Sequence, residues 1–185
     1  PYVRYPLRSN RLLREYLGAL EREISLYGKL LSDLDLKVTD IHVGGGTPSL
    51  LEGKDFKKLL GALNEHFDSP DTIAIEANPE DLQRKEKVSR LVEAGVREVS
   101  LGVQSFSDGG LRKLGRRHDS SDSVRAIENL RDAGLDYLNL DLMYMLPGQE
   151  LEEWTRDLER AAESGADEIT CYPTLVAEHC TACLL

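Results

Sequence analysis

Residues 93–105 read EAGVREVSLGVQS. A helix that closes on Gly95 gives way within a few residues to a β-rich run, Val99–Val103. Glycine suits the left-handed residue just past a helix C-terminus. The same order recurs twice downstream. Asp132-Ala133-Gly134 precedes the run Tyr137–Met143, and Glu163-Ser164-Gly165 precedes Ile169–Tyr172. Upstream, Asp40–Val43 and Thr72–Ala77 read as two further strands. Helical periodicity fills the intervals. Leu13, Tyr16, Leu17, Leu20, Ile24 and Leu31 form one stripe over Asn10 to Leu34; Phe56, Leu59, Leu60, Leu63 and Phe67 form a second. A third helix runs from about Leu82 to Gly95, a fourth carries Val124, Ile127 and Leu130, and a fifth carries Leu151, Trp154 and Leu158. Repeated strand–helix–strand order implies parallel strands joined by right-handed crossovers. The expected fold is therefore α/β: five parallel strands in a partial (β/α) barrel or curved open sheet. Ligands in such folds sit at the C-terminal ends of the strands.

The bulk properties narrow the function. With 185 residues, 41% of them hydrophobic and 30% charged, the chain reads as one globular domain. A net charge of −10 argues against nucleic acid as the main partner, because phosphate binding needs clustered Lys and Arg. No apolar run approaches the roughly 20 residues of a membrane helix, and PYVRYPLRSN at the start has no apolar signal region. The three cysteines all fall in the last fifteen residues and make no disulfide framework, so a reducing, cytoplasmic location is expected.

The strand ends carry the chemistry. Gly44-Gly45-Gly46-Thr47-Pro48 removes side chains where a ligand would approach the backbone, although a glycine run alone also suits a tight strand-to-helix turn. It is no P-loop, since no Gly-Lys-Ser/Thr follows. Glu76, beside Asn78-Pro79, is a carboxylate at the end of a β run, which by itself also fits a strand-end salt bridge. Gln104 offers an amide at the rim; Arg116, twelve residues on, offers a fork for a carboxylate or a solvated helix end. Asp141 lies between apolar neighbours, with Asn139 and Met143 on its face and Leu140, Leu142 and Tyr144 on the other. A carboxylate facing a barrel interior calls for a partner or a ligand. Together these groups match an amino acid joined to a ribose: acceptors for an ammonium, a guanidinium for a carboxylate, Asp or Gln for hydroxyls.

GGGTPSLL (44–51), EANPEDL (76–82), GVQSFSDGGLRKLGRRHD (102–119) and NLDLMYMLPGQ (139–149) occur in one chain in this order. This set closely resembles the oxygen-independent coproporphyrinogen III oxidase-like branch of radical S-adenosylmethionine (SAM) enzymes, which also contains haem chaperones, haem-degrading enzymes and radical methyltransferases. The resemblance covers roughly residues 1–175, with 176–185 an irregular tail outside it. It implies a (β/α)6 partial barrel whose first strand is not in this chain. It also implies a [4Fe–4S] cluster held by a C-x3-C-x2-C loop, and SAM cleaved to a 5′-deoxyadenosyl radical acting on a tetrapyrrole. An electron donor such as a flavodoxin-type protein would be required. Carried over by position, Gly45, Gly46 and Thr47 contact the methionyl group, Glu76, Gln104 and Asp141 contact the ammonium or ribose, and Arg116 pairs with the carboxylate.

The departures are specific. Aligned on Pro1-Tyr2, Val3 stands where the third cluster cysteine belongs, and the other two would precede residue 1, so an incomplete chain is expected and no residue is assigned as a metal ligand. Met145 stands where relatives commonly have glycine, which would narrow a substrate cavity. Cys180-x-x-Cys183 reads either as two free thiols or as half of a metal site. Cys171 is expected in the core, His42 as structural, and His118 as a cap or surface residue. Three functions follow from the resemblance: a radical SAM oxidoreductase acting on a tetrapyrrole, a non-catalytic haem-binding chaperone on the same fold, or an inactive, cluster-less remnant. A generic phosphate-binding barrel enzyme explains fewer of the rim residues.

Overall fold

The computed structural model describes residues 10–67 and 72–175. Val3, Cys180 and Cys183 lie outside them, as does the tail 176–185. The elements are α1 (Asn10–Asp33), β1 (Asp40–Val43), α2 (Gly53–His66), β2 (Thr72–Ala77), α3 (Lys85–Glu93), β3 (Glu98–Gln104), α4 (Asp108–Lys113), α5 (Ser120–Asp132), β4 (Tyr137–Tyr144), α6 (Leu151–Glu163) and β5 (Glu168–Pro173). Among the described residues the five strands form one sheet in the order β1-β2-β3-β4-β5, every neighbouring pair parallel. This is the partial barrel sheet expected from the repeated strand–helix pattern.

The sheet has two unlike faces because side chains alternate along each strand. Ile73, Ile75 and Ala77, then Val99, Leu101 and Val103, then Leu138, Leu140 and Leu142 are buried against the helices. Helix α2 covers this layer with Phe56, Leu59, Leu60 and Leu63, spaced to share one stripe. The opposite, concave face is polar. Register pairs Glu76 with Ser100 and Ser100 with Asn139, so these three share that face, and Asp141 stands two residues further along β4.

The three helix-ending glycines all adopt positive φ: 111° at Gly95, 74° at Gly134 and 77° at Gly165. The first two close Schellman turns, with Val96 N donating to Leu91 O at 3.1 Å and Leu135 N to Leu130 O at 3.3 Å. Each turn reverses the chain into the next strand, which is why the pattern could be read locally.

Several expectations need correction. Helix α3 begins at Lys85, not Leu82: Pro79–Asp81 forms a single 3-10 turn and Leu82 is a fully buried anchor after it. Helix α4 was not foreseen, since Gly109 and Gly110 have poor helix propensity. The Ser107 side chain caps it, accepting from Gly110 N at 3.2 Å. Tyr16 and Val124 are exposed, not buried. Cys171 is exposed too, because it lies on β5 at the edge of the sheet.

Met145, at the turn after β4, has φ 60° and is 66% exposed. A left-handed conformation strains any residue with a Cβ. Met145→Gly is therefore expected to stabilise the chain by about 0.5–1 kcal/mol, after the extra freedom of the unfolded glycine is subtracted. Urea unfolding checks it: the midpoint should rise with the slope unchanged.

Candidate functional site

Every strand runs the same way, so Gly44–Gly46, Glu76, Gln104 and Asp141 gather at one end of the sheet. The glycine turn after β1 is gripped by the end of β2. Glu76 Oε2 accepts from Gly45 N at 3.2 Å, and its Oε1 lies 3.3 Å from His42 Nε2. A Cβ at residue 44 would stand 2.6 Å from Glu76 Oε1 and 2.8 Å from His42 Nε2, so a larger residue there would push these two side chains aside. At residues 45 and 46 a Cβ would meet nothing within 4 Å: the turn faces open space.

Next to it runs a polar chain. Asn78 Nδ2 donates to Thr47 Oγ1 at 3.4 Å, and Arg116 Nη1 donates to Asn78 Oδ1 at 3.4 Å. Asn78 is in turn fixed through its backbone N–H, which donates to Ser49 Oγ at 3.2 Å; Ser49 donates to Asp81 at 2.7 Å. Thr47, Asn78 and Arg116 line a cleft of about 240 Å³ with Leu50, Glu80, Asp81, Gly115 and Arg117. Glu76, Gln104 and Asp141 are not part of its lining.

Gln104 is 7% exposed and has φ 68°. Ser105 N donates to Val103 O at 2.8 Å across it, which makes residues 103–105 a γ-turn. The pairing of β3 with β4 shifts register at this point, between Leu101 and Gln104. A Cβ at Gly102 would stand 2.9 Å from Gln104 Nε2, so the missing side chain there makes room for the amide.

Asp141 holds a network on the concave face. Ser100 Oγ donates to its Oδ2 at 2.8 Å and Asn139 Nδ2 to its Oδ1 at 3.0 Å, while Thr170 Oγ1 donates to Asn139 Oδ1 at 2.9 Å. Burial pushes the Asp141 carboxyl above the ordinary aspartate range; the bonds from Ser100 and Asn139 oppose this, and Glu76 and Glu168 add to it. The folded state thus holds the Asp141 proton to higher pH than the unfolded chain. Its stabilising contribution is complete below the ordinary value of 3.8 and is lost as pH rises through the folded value. Asp141→Asn is accordingly expected to raise the neutral-pH melting temperature of the ligand-free chain by a few degrees. The difference should vanish below about pH 3.8. Melting curves of both proteins from pH 3 to 8 read this directly.

Two residues outside the expected site set shape the rim. His118, expected at a cap or the surface, is 3% exposed, with Nδ1 3.0 Å from Glu80 Oε2 and Nε2 3.1 Å from Val103 O. Its bond to Glu80 holds the Glu80 carboxyl below its usual range. Asp157 on α6 is 2% exposed and accepts from Ser105 Oγ at 2.6 Å and Phe106 N at 2.8 Å. Arg160, one turn on, donates to Phe106 O at 3.1 Å and lies 4.8 Å over the Phe106 ring. Among the described residues no cluster of His, Cys, Asp or Glu forms a metal site, and Cys171 is their one cysteine. These residues do not supply ligands for an iron–sulfur cluster. Nor is any helix among them long and apolar enough to cross a membrane.

Residues 21–161 match the family model for the radical SAM superfamily. The heme chaperone HemW of Bacillus subtilis (strain 168) is 38% identical over 165 residues, covering 88% of this chain and 43% of its own. The heme chaperone HemW of Escherichia coli (strain K12) is 39% identical over 153 residues, covering 77% of this chain and 40% of its own. Among solved structures, coproporphyrinogen III oxidase (HemN) from Escherichia coli, described as a radical SAM enzyme, superposes with a TM-score of 0.80 at 30% identity. It covers 91% of this chain and 38% of that one. The archaeal Elp3 of Methanocaldococcus infernus, with a TM-score of 0.69 at 22% identity, shares the fold. The chain spans about two fifths of the length of these curated relatives.

Proposed function

The chain belongs to the radical SAM superfamily, and we propose from that premise that its strand-end rim binds S-adenosylmethionine within a protein that handles a tetrapyrrole. The observation that carries the reading is the set of groups on one rim. Arg116 stands in a hydrogen-bonded row with Asn78 and Thr47, and the carboxylates of Glu76 and Asp141 occupy the adjoining concave face. A zwitterionic amino acid with a ribose asks for this: a guanidinium for its carboxylate, an acidic acceptor for its ammonium, and a second carboxylate for its hydroxyls. The open side of Gly45 and Gly46 leaves the backbone free for the methionyl chain. SAM, when bound, supplies a sulfonium open to one-electron cleavage. Delivery of that electron would fall to a cluster and an external donor of flavodoxin type, for which the described residues provide no ligands.

For the tetrapyrrole, the heme chaperone reading is favoured over oxidation of coproporphyrinogen. The two chaperone relatives stand at 38% and 39% identity, against 30% for the oxidase structure. A chaperone needs the barrel as a binding frame and does not need turnover. Titration with haem, followed in the Soret band, should show saturable binding, and an anaerobic assay should show no loss of carboxyl groups from coproporphyrinogen. Turnover of coproporphyrinogen would restore the oxidase reading. Neither haem binding nor turnover, with the fold intact, would leave the tetrapyrrole assignment without support.

A further inference from the structure

His118 is enclosed by groups that only accept. A backbone carbonyl, Val103 O, faces Nε2 at 3.1 Å, and the Glu80 carboxylate faces Nδ1 at 3.0 Å. Each ring nitrogen is thereby tied to a different segment of the chain. The imidazole side chain has no solvent exposure, so water does not substitute for either partner. Arg116 also acts on the Glu80 carboxylate, and Asp81 beside it faces Lys87 and Arg117.

The three segments joined at this ring each carry one part of the rim. Val103 O already accepts from Ser105 N in the γ-turn that presents Gln104. Glu80 lies two residues after Asn78, the acceptor of Arg116. His118 lies two residues after Arg116 itself. A positive φ at Gln104 is strained for a residue with a side chain and persists only where its surroundings hold it. We propose that His118, bridging the Glu80 carboxylate and Val103 O through its two ring nitrogens, is the positioning residue that holds Gln104, Asn78 and Arg116 in mutual register for the ligand. This rests on the SAM reading for the identity of the ligand, though not for the clamp.

The test uses the 185-residue chain, labelled with 15N. One His118 ring nitrogen faces Glu80, so its 15N resonance should move in Glu80→Gln. Ring resonances that Glu80→Gln leaves unmoved overturn the proposal. His118→Gln should weaken SAM binding by about tenfold and speed amide exchange at Ser105 at least tenfold, with α2 and β2 amides unchanged. Glu80→Gln, which keeps the shape, should lose less affinity than His118→Gln. Unchanged affinity and unchanged Ser105 exchange in His118→Gln would make the residue mere filling and overturn the positioning role. If the unaltered chain binds no SAM, the functional reading fails, while the ring nitrogens and Ser105 exchange still decide the clamp.

Discussion

Arg116→Ala is expected to weaken binding at the proposed SAM site by at least about tenfold, from an expected dissociation constant on the order of 0.1–1 mM. The starting value is modest because a few charge-assisted bonds must offset the entropy of binding. A bond between guanidinium and carboxylate contributes about 1.5–3 kcal/mol net, which is roughly a 10- to 150-fold change in affinity. Arg116 also orders Asn78, through which Thr47 is held, so its removal loosens more than one contact. Asp141→Ala should cost a similar factor through the hydroxyls. Its loss removes the acceptor to which Ser100 Oγ and Asn139 Nδ2 both donate. Calorimetric titration with SAM measures both. Full affinity in both variants, with unchanged circular dichroism, would mean that these residues serve the fold alone.

The largest loss of stability is expected from Asp157→Ala, about 2–4 kcal/mol. That substitution strips a buried acceptor from Phe106 N and Ser105 Oγ at once. An unsatisfied buried donor costs about 1–3 kcal/mol, and two arise together. Asp157→Asn should cost far less at neutral pH. Burial already raises the Asp157 carboxyl above its ordinary range, so the neutral amide replaces a group that folding disfavours as an anion. Urea denaturation separates the two substitutions. Equal losses in both would show that charge, not acceptor geometry, secures the turn at Ser105. Because that turn also presents Gln104, Asp157→Ala should lower ligand affinity as well, from a distance of one helix.

The sequence by itself determined the layered α/β order, the position of each strand and the end of the sheet where the polar groups gather. Those features rest on short-range rules. Side chains alternate along a strand, helical stripes repeat every three or four residues, and glycine closes a helix at positions 95, 134 and 165 whatever surrounds it. Asp141 was legible for the same reason, as a carboxylate inserted in the alternation of Leu138, Leu140 and Leu142. His118 was not, because GRRHDSS contains nothing apolar to announce burial. Only the meeting of the β2 loop with the end of β3 encloses its ring. Asp157 sits in a helix crowded with charge and nothing local marks it for burial; packing of α6 against the turn at Ser105 makes it the buried acceptor. Cys171 failed in the opposite sense, since its strand lies at a sheet edge that no local pattern reports. Local conformation follows from neighbours along the chain. Burial and protonation follow from groups dozens of residues away, and only the tertiary structure brings those together.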